Sequence, residues 1–278
     1  MAYEFLTTRR EGAVEYLTLN RPDVRNAFNE QMIVELADWA SAVAEAGRHH
    51  DVRAIVLAGA GPVFCAGGDA KWMSSSIRYT EAENLRDAQG MAAMFAALDT
   101  LPVPLISRIH GAAIGGGAGL AAVSDIVVAE ERATFAFPEV KLGIVAGIIG
   151  PFVVAKIGQA AARELFLTGA RFPAARAKEI GLVHTVVPSG ELDATVANYV
   201  REILTNAPGA VSAAKALIRD VQGRPPADVA ATTASLIARL RVSAEGQEGL
   251  RVFLEKRTPS WSPVFSNTKD TKDTDTKG

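Results

Sequence analysis

Residues 64–69 read FCAGGD and residues 110–119 read HGAAIGGGAG, and these two glycine-rich stretches decide the fold. Each follows an apolar run, which is AIVLA at residues 54–58 and LIS at residues 105–107. Both stretches therefore predict a strand, a glycine loop and a helix. Such loops leave backbone N–H groups without partners at the positive end of a helix. Two loops that face each other are able to aim two N–H donors at one oxygen, which suits a reaction that turns a carbonyl into an enolate.

Composition places the chain among ordinary globular proteins. It has 278 residues, of which 49% are hydrophobic and 22% are charged, so we expect one or two domains with a sizeable core. The formal net charge of −2 gives no general attraction to nucleic acid. The single cysteine, Cys65, excludes an intrachain disulfide. Because the sequence has neither a bilayer-spanning apolar run nor a secretory signal, we expect a cytoplasmic protein with no membrane partner.

The order of the sequence patterns predicts an α/β fold. An opening hairpin is expected between residues 3–8 and 14–19, strands then alternate with helices up to about residue 190, and helical patterns follow. We divide the chain into a core at residues 1–195, a helical region at residues 196–262 and a disordered tail at residues 263–278. The tail is predicted to be disordered because its end repeats Thr, Lys and Asp without apolar residues.

Further motifs stand in a definite order along the chain. They are LNRP at 19–22, NAF at 26–28, FCAGGDAKWM at 64–73, GGGAGLAAVSD at 115–125, FPEVKLG at 137–143, EGQEG at 245–249 and FLEKR at 253–257. Together they resemble the crotonase family, also called the enoyl-CoA hydratase/isomerase family, over nearly the whole chain. The resemblance implies a spiral of β-β-α turns, C-terminal helices that build trimers or dimers of trimers, and an acyl-CoA thioester substrate. It implies no separate cofactor, since coenzyme A is part of the substrate.

By the same resemblance, the amides that bind the thioester oxygen belong to Gly68 and Gly116. A glycine has no Cβ, so an oxygen is able to approach its backbone closely. Glu139 matches the residue that exchanges a proton with the α-carbon of the substrate. Its neighbours Phe137 and Leu142 are apolar. Desolvation among them raises the pKa of a carboxyl group and makes it usable as an acid and a base near neutrality.

Contacts with coenzyme A follow from the resemblance as well. The substrate-binding set comprises Arg25, Ala66, Asp69, Ala70, Lys71 and Gly115. Backbone groups of residues 66–71 are expected to meet the adenine and the pantetheine, and the Arg25 and Lys71 cations are expected to meet phosphate groups. We predict no metal site, because His49 and His50 stand beside one aspartate without further ligands at a suitable spacing.

One position departs from the family pattern. The best-known hydratases carry a second glutamate where this chain has Gly119. Hydration puts a proton on one carbon and a hydroxide on the next, and two carboxylates divide that work naturally. A lone glutamate is able to move one proton between two carbons, which is isomerisation, or to perform both proton transfers of a hydration in turn. The glycine therefore leaves the reaction type open.

The second half of the chain resembles the methylglutaconyl-CoA hydratase branch of the family. The motifs that carry this likeness are EVKLGI at 139–144, IGPFVV at 149–154 and PSW at 259–261. We therefore favour an enoyl-CoA hydratase that acts on 3-methylglutaconyl-CoA or on another short or branched enoyl-CoA. The enzyme alternatives are a single-glutamate isomerase and an acyl-CoA decarboxylase of the same family. An RNA-binding homologue and an inactive CoA-binding homologue are more remote alternatives.

Overall fold

The structure, a computed structural model, describes residues 3–262. Its elements follow in the order β1 (Leu6–Glu11), β2 (Val14–Leu19), α1 (Glu30–Arg48), β3 (Ala54–Gly59), α2 (Ala70–Ser76), α3 (Glu81–Asp99), β4 (Leu105–Ile109), β5 (Ala112–Ile114), α4 (Gly116–Val123), β6 (Ile126–Glu130), β7 (Thr134–Ala136), α5 (Gly150–Thr168), β8 (Arg171–Pro173), α6 (Ala174–Glu179), β9 (Thr185–Val187), α7 (Leu192–Thr205), α8 (Pro208–Val221), α9 (Pro226–Val242) and α10 (Ala244–Glu255). A single 3-10 turn, Glu139–Leu142, separates β7 from α5. The predicted α/β class is confirmed.

A six-stranded sheet with the order β1-β2-β3-β4-β6-β9 forms the frame. Only β1 runs antiparallel to its neighbour, and it pairs Leu6 with Leu19 and Glu11 with Val14. The first strand therefore lies later in the chain than residues 3–8, the range that we predicted for it. The physical reason is that Gly12 takes the positive φ of the tight turn, which lets both strands run up to it.

The chain passes repeatedly from this sheet to a second one and then into a helix. The second sheet has the order β5-β7-β8. Strand β4 leads to β5 and then α4, and β6 leads to β7 and then α5. After β3 the chain does the same in a shorter form, because Cys65 makes a parallel bridge to Ala113 of β5 before α2 begins. These repeated turns confirm the β-β-α spiral.

Two apolar clusters cover the two faces of the large sheet. The larger one joins α1, α3, α4 and α5 to one face, and the smaller one packs α7 on the other face. Helix α7 contributes Leu192, Val196, Val200 and Leu204 to this smaller cluster. The boundary predicted between residues 195 and 196 thus falls inside a helix that belongs to the core. The helices outside the core begin with α8.

Helices α8, α9 and α10 confirm the predicted helical region, but they bury few side chains. In α9 only Val229 is buried, and in α10 only Val252. Large apolar side chains on these helices stay exposed, among them Ile218, Phe253 and Leu254. In the part of the chain that the structure covers, we find no helix with the length and apolar character needed to cross a membrane. The tail predicted at residues 263–278 lies outside the described residues.

Candidate active site

A cavity of about 810 Å³ opens where the two glycine loops meet. Gly68 and Gly116 both line it, as does Glu139 from the turn after β7. One further wall comes from α2 and α3, and another from residues 144–149, which precede α5. The three residues to which the sequence assigned the chemistry therefore share one pocket.

The two glycine loops are held in register by backbone hydrogen bonds. The Cys65 N–H donates to the Ala112 carbonyl at 3.0 Å, and the Ile114 N–H donates to the Cys65 carbonyl at 3.0 Å. Gly68 follows Cys65 by three residues, just as Gly116 follows Ala113 in the facing strand. This parallel pairing carries both glycines to equivalent positions at the rim of the same pocket.

Only glycine allows the loops to approach so closely. A Cβ on Gly67 would lie 2.8 Å from the Ile114 carbonyl oxygen, and Gly67 also has a φ of +93°. A Cβ on Gly117 would lie 2.5 Å from the Cys65 carbonyl oxygen. Both distances are shorter than real side-chain contacts, so any larger residue would push the loops apart. The glycines therefore fix the spacing of the two amides.

The backbone N–H groups of Gly68 and Gly116 donate no hydrogen bond within the described residues. Gly116 is the first residue of α4, and the first backbone hydrogen bond of that helix runs from the Gly119 N–H to the Gly115 carbonyl. Across residues 3–262, no acceptor bonds the Gly68 or the Gly116 N–H. Two N–H donors at one pocket are able to stabilise negative charge on a single oxygen.

Glu139 brings a carboxyl group to the same place. Its Oε1 lies 3.2 Å from the position that a Cβ would take on Gly115. Its Oε2 is buried without a hydrogen-bond partner among the described residues. Burial raises the pKa of Glu139, and only a bond to its own backbone opposes the rise. The carboxyl therefore keeps its proton to a higher pH than an exposed glutamate does, and its free oxygen is able to exchange that proton with a ligand.

At Gly119, where the best-known hydratases carry a second glutamate, neighbouring side chains leave no space for a side chain. A Cβ on Gly119 would lie 2.4 Å from Ile149 Cγ2 and 3.1 Å from Phe95 Cε1. Gly119 itself is buried in α4. The neighbouring packing therefore fills the space through which a longer side chain would reach the pocket.

The α2–α3 wall was largely missed by the sequence analysis. Asn84, Asp87, Ala88 and Met91 line the pocket from one face of α3, with the 3- and 4-residue spacing of a helix. Leu85, on another face of this helix, is 56% exposed. Asn84 and Asp87 are polar residues at two inward positions of α3, so they interrupt the apolar pattern of this face, although their spacing is helical.

The predicted coenzyme A residues lie along the first glycine loop. Ala66 lines the pocket, and its N–H donates to the Arg25 carbonyl at 3.0 Å, which joins these two segments. Arg25, Ala70 and Lys71 are exposed, and none of the three lines the cavity. Their cationic and backbone groups therefore face solvent beside the loop.

Asp69 supports the loop from inside the protein. Its carboxylate accepts a hydrogen bond from the Lys71 N–H at 2.8 Å and an ion pair from Arg21 at 2.9 Å. Burial raises the pKa of Asp69, but these hydrogen bonds outweigh it and hold the pKa below its usual range. The Asp69 N–H is also bonded, to the Phe28 carbonyl. Asp69 thus fixes the backbone at the start of α2.

The remaining candidates take no part in this chemistry. Cys65 is fully buried, donates to the Asn26 carbonyl, and has a pKa raised to about 12 by burial, so its thiol is not a nucleophile near neutrality. No cluster of three potential metal ligands occurs within residues 3–262.

Comparisons with known proteins agree with this geometry. A model of the Enoyl-CoA hydratase/isomerase family matches residues 9–263. The 2,3-dehydroadipyl-CoA hydratase of Escherichia coli is 32% identical over 257 residues, which cover 92% of this chain and 98% of that protein. The solved structure of an enoyl-CoA hydratase from Shewanella pealeana has a TM-score of 0.88 at 37% identity and covers 93% of this chain and 96% of its own.

A second solved structure, Pseudomonas aeruginosa AtuE, has a TM-score of 0.89 at 35% identity and covers 94% of this chain and 100% of its own. The family match spans most of the sequence, including both glycine loops and Glu139. The resemblance inferred from the motifs is confirmed. The chain is an enzyme of the enoyl-CoA hydratase/isomerase, or crotonase, family.

Proposed function

We propose that this enzyme adds water across the 2,3 double bond of an enoyl-CoA thioester. The observation that carries the proposal is the meeting of two free amides with an unpartnered carboxyl oxygen in one pocket. Gly68 and Gly116 supply the amides, and Glu139 supplies the carboxyl. Hydration of an enoyl thioester requires both kinds of group. Negative charge develops on the carbonyl oxygen and needs hydrogen-bond donors, and the neighbouring carbon C2 gains a proton from an acid.

The reaction follows from these roles. The thioester oxygen accepts hydrogen bonds from the Gly68 and Gly116 amides, and water adds to C3 as one of its O–H bonds breaks and that proton leaves to a base in the pocket. The C2=C3 electron pair shifts toward the carbonyl and gives an enolate, whose charge the two amides stabilise. Glu139 then gives its proton to C2, and the carbonyl re-forms. Losing one such amide donor typically costs about 3–4 kcal/mol of transition-state stabilisation.

Coenzyme A is proposed to bind along the first glycine loop. Arg25 and Lys71 are exposed cations beside Ala66, which is the arrangement that phosphate groups favour. The pantetheine would then run past Ala66 and Ala70 toward Gly115 at the pocket. No further cofactor enters this proposal, since proton transfers and an amide pair suffice for hydration.

The acyl pocket favours a short or branched chain with a polar end. The wall at residues 144–149 is mainly apolar, whereas Tyr79, Asn84 and Asp87 line the opposite wall. Neutral donors such as Asn84 are able to bond a distal oxygen of the acyl group. We therefore retain 3-methylglutaconyl-CoA as the leading specific substrate. The E. coli relative is named for a substrate that also has a distal carboxyl group.

Isomerisation is the second candidate, and Gly119 is the observation that favours it. Because Ile149 fills the space beside Gly119, α4 offers no second acid for water. A single Glu139 is sufficient to remove a proton from C2 of a 3-enoyl-CoA and to return it to C4 of the dienolate, which gives a 2-enoyl-CoA. A decarboxylase of the same family would use the amide pair in the same way, with carbon dioxide as the leaving group.

A substrate panel separates these activities. We would incubate the full-length protein with crotonyl-CoA, 3-methylglutaconyl-CoA and a 3-enoyl-CoA, and identify products by mass and by loss of the conjugated thioester absorbance. Hydration predicts a product heavier by one water from at least one 2-enoyl-CoA. Conversion of only the 3-enoyl-CoA, without a mass change, would establish isomerisation instead. Loss of carbon dioxide from 3-methylglutaconyl-CoA would establish decarboxylation.

We also propose that the protein forms a homo-oligomer, either a trimer or a dimer of trimers. The support is the exposed apolar surface of the last three helices, where Phe253 is 80% and Leu254 is 78% exposed. Large apolar side chains exposed on these helices favour burial against another subunit. Light scattering coupled to size exclusion measures the mass directly, and a monomer at micromolar concentration would contradict the proposal.

A further inference from the structure

The pocket contains a second carboxyl group on a different helix. Among the described residues that line the cavity, the only carboxylic side chains are Glu139 and Asp87. Asp87 belongs to α3, which faces the amide pair, whereas Glu139 follows β7. Because the Gly119 position is closed by Ile149, any second carboxylate that acts on a ligand in this pocket has to come from outside α4.

Two neighbours of Asp87 reach the two glycines of the amide pair. Met91, one helical turn further along α3, has its Cε 3.2 Å from the Cβ position of Gly116. Residues four apart on a helix are roughly 6 Å from each other, so Asp87 is about one turn from this contact. On the other side, the Trp72 side chain lies close enough to the Asp87 carboxylate to lower its pKa. A ring carbon of the same Trp72 lies 3.6 Å from the Cβ position of Gly68.

The surroundings of Asp87 suit a group that takes up a proton. Desolvation raises the pKa of Asp87, the nearby Trp72 side chain lowers it, and the charge of Glu30 raises it again, so that the net shift is upward. Of the lining residues in the described chain, none is a lysine or arginine. The Asp87 carboxylate therefore has no cation in the cavity that would hold it in an ion pair.

We propose that Asp87 is the second carboxyl group of the hydration reaction, which binds the incoming water and accepts its proton. This inference rests on the proposed hydratase function. One water O–H breaks and its proton passes to Asp87, while the oxygen forms a bond to C3. The C2=C3 electron pair moves into the thioester enolate, and Glu139 gives its own proton to C2. Asp87 and Glu139 then regain their starting states by exchanging protons with solvent, so the step consumes only water.

The test compares two reactions that share the amide pair but differ in their need for water. The first is hydration of crotonyl-CoA. The second is exchange of the C2 hydrogens of butyryl-CoA with deuterium from D2O, which needs Glu139 and the amides but adds no water. We expect Asp87→Asn to lower the hydration kcat by about 100-fold or more. The same variant should change KM and the butyryl-CoA exchange rate by less than about threefold, since general-base catalysis is the only function removed.

Three further variants complete the design. Glu139→Gln should lose both reactions, because the C2 proton passes through that carboxyl. Asp38→Asn removes the same charge from an exposed position of α1 and should lose neither. Asp87→Glu keeps a carboxyl group and should regain part of the hydration rate. Circular dichroism and thermal melting of each variant report whether it has folded.

The outcomes test the role of Asp87 separately from the proposed hydratase function. If the wild type hydrates crotonyl-CoA and Asp87→Asn does so at the same rate, Asp87 is not the second carboxyl group. If hydration and deuterium exchange fall together in Asp87→Asn, the residue only shapes the pocket. A folded Asp87→Asn that fails to bind butyryl-CoA leads to the same conclusion. If the wild type exchanges C2 hydrogens but hydrates none of the 2-enoyl-CoA substrates tested, the hydratase function is wrong and the role of Asp87 falls with it.

Discussion

Two helices face each other across the pocket, and they are built in opposite ways. Every residue of α4 is buried, and its glycines lie against neighbouring backbone and side chains with no space for a Cβ. The facing half of α3 is open, and it presents Asn84 and Asp87 to the cavity. Helix α4 thus contributes backbone to the site, whereas α3 contributes side chains.

This difference separates the fixed part of the chemistry from the variable part. The amide of Gly116 is positioned by the helix start and by close loop packing, so few substitutions near it are compatible with the fold. Met91 and Phe95 of α3 belong to that packing. Asn84 and Asp87 do not touch the α4 glycines and are free to change without disturbing it. We infer that the thioester oxygen is recognised by the α4 wall, and that the fate of the acyl group is decided on the α3 wall.

The largest effect should come from removing the carboxyl between the two walls. Glu139→Gln keeps the shape of the side chain but removes its exchangeable proton, so we expect hydration to fall by about 10²–10⁴-fold. Steady-state kinetics with the best substrate of the panel measures this. The matched control is Glu131→Gln, which makes the same change at an exposed position after β6 and should retain full activity. Equal rates for both variants would remove Glu139 from the mechanism.

The contrast between the helices also predicts opposite effects on stability. Gly119→Ala places a methyl group 2.4 Å from Ile149 Cγ2, so the free energy of unfolding should fall by about 1–3 kcal/mol. In α3, a Cβ on Gly90 meets nothing within 4 Å. Gly90→Ala should therefore raise the free energy of unfolding by up to about 1 kcal/mol, through helix propensity. Urea unfolding measures both, and a neutral Gly119→Ala would mean that Ile149 moves aside readily.

The α4 wall is the part of the site that sequence could predict. Its information is local, because a strand, a glycine loop and a helix start follow one another within residues 105–119. The same holds for the first loop and for the position of Glu139 before a short turn. What sequence could not reveal is why Gly119 is glycine, since Ile149 reaches it from thirty residues further along the chain.

The α3 wall was missed for a different reason. Its apolar residues Met91, Phe95 and Leu98 have helical spacing in the sequence and are buried. Asp87 lies on the same face, but a polar residue on a mainly apolar face is indistinguishable in sequence from a solvated one. Its contact with Trp72 joins two helices through side chains, and such a pairing depends on packing rather than on local pattern.

A smaller effect concerns how stability depends on pH. Because burial raises the pKa of folded Glu139 above its unfolded value, its contribution to stability is complete below the unfolded pKa and is lost as pH rises through the folded pKa. Glu139→Gln does not titrate, so it should gain stability relative to the wild type as pH rises from the unfolded pKa of Glu139 through its folded pKa. Urea midpoints of both proteins across that range give the difference. A constant difference would mean that the carboxyl is not desolvated.

The smallest effect should come from the contact that links the α3 wall to the first glycine loop. Trp72→Phe keeps a ring over Gly68 but removes the indole N–H, the polar group of Trp72 that lowers the pKa of Asp87. Without that N–H, desolvation and the charge of Glu30 raise the pKa of Asp87 further. Since the proposed role requires ionised Asp87, the acidic limb of the hydration pH profile should move to higher pH. At a fixed pH on that limb the rate should fall by about 2- to 10-fold, the size expected for one net polar interaction.

The profile of Asp87→Asn makes this last prediction specific. If Asp87 accounts for the acidic limb, Asp87→Asn removes the limb, and adding Trp72→Phe to that variant changes the profile no further. The two substitutions then act through one group, and their effects are not additive. Additive effects would mean that Trp72 acts on the substrate directly, and the α3 wall would then consist of separate contacts rather than a linked pair.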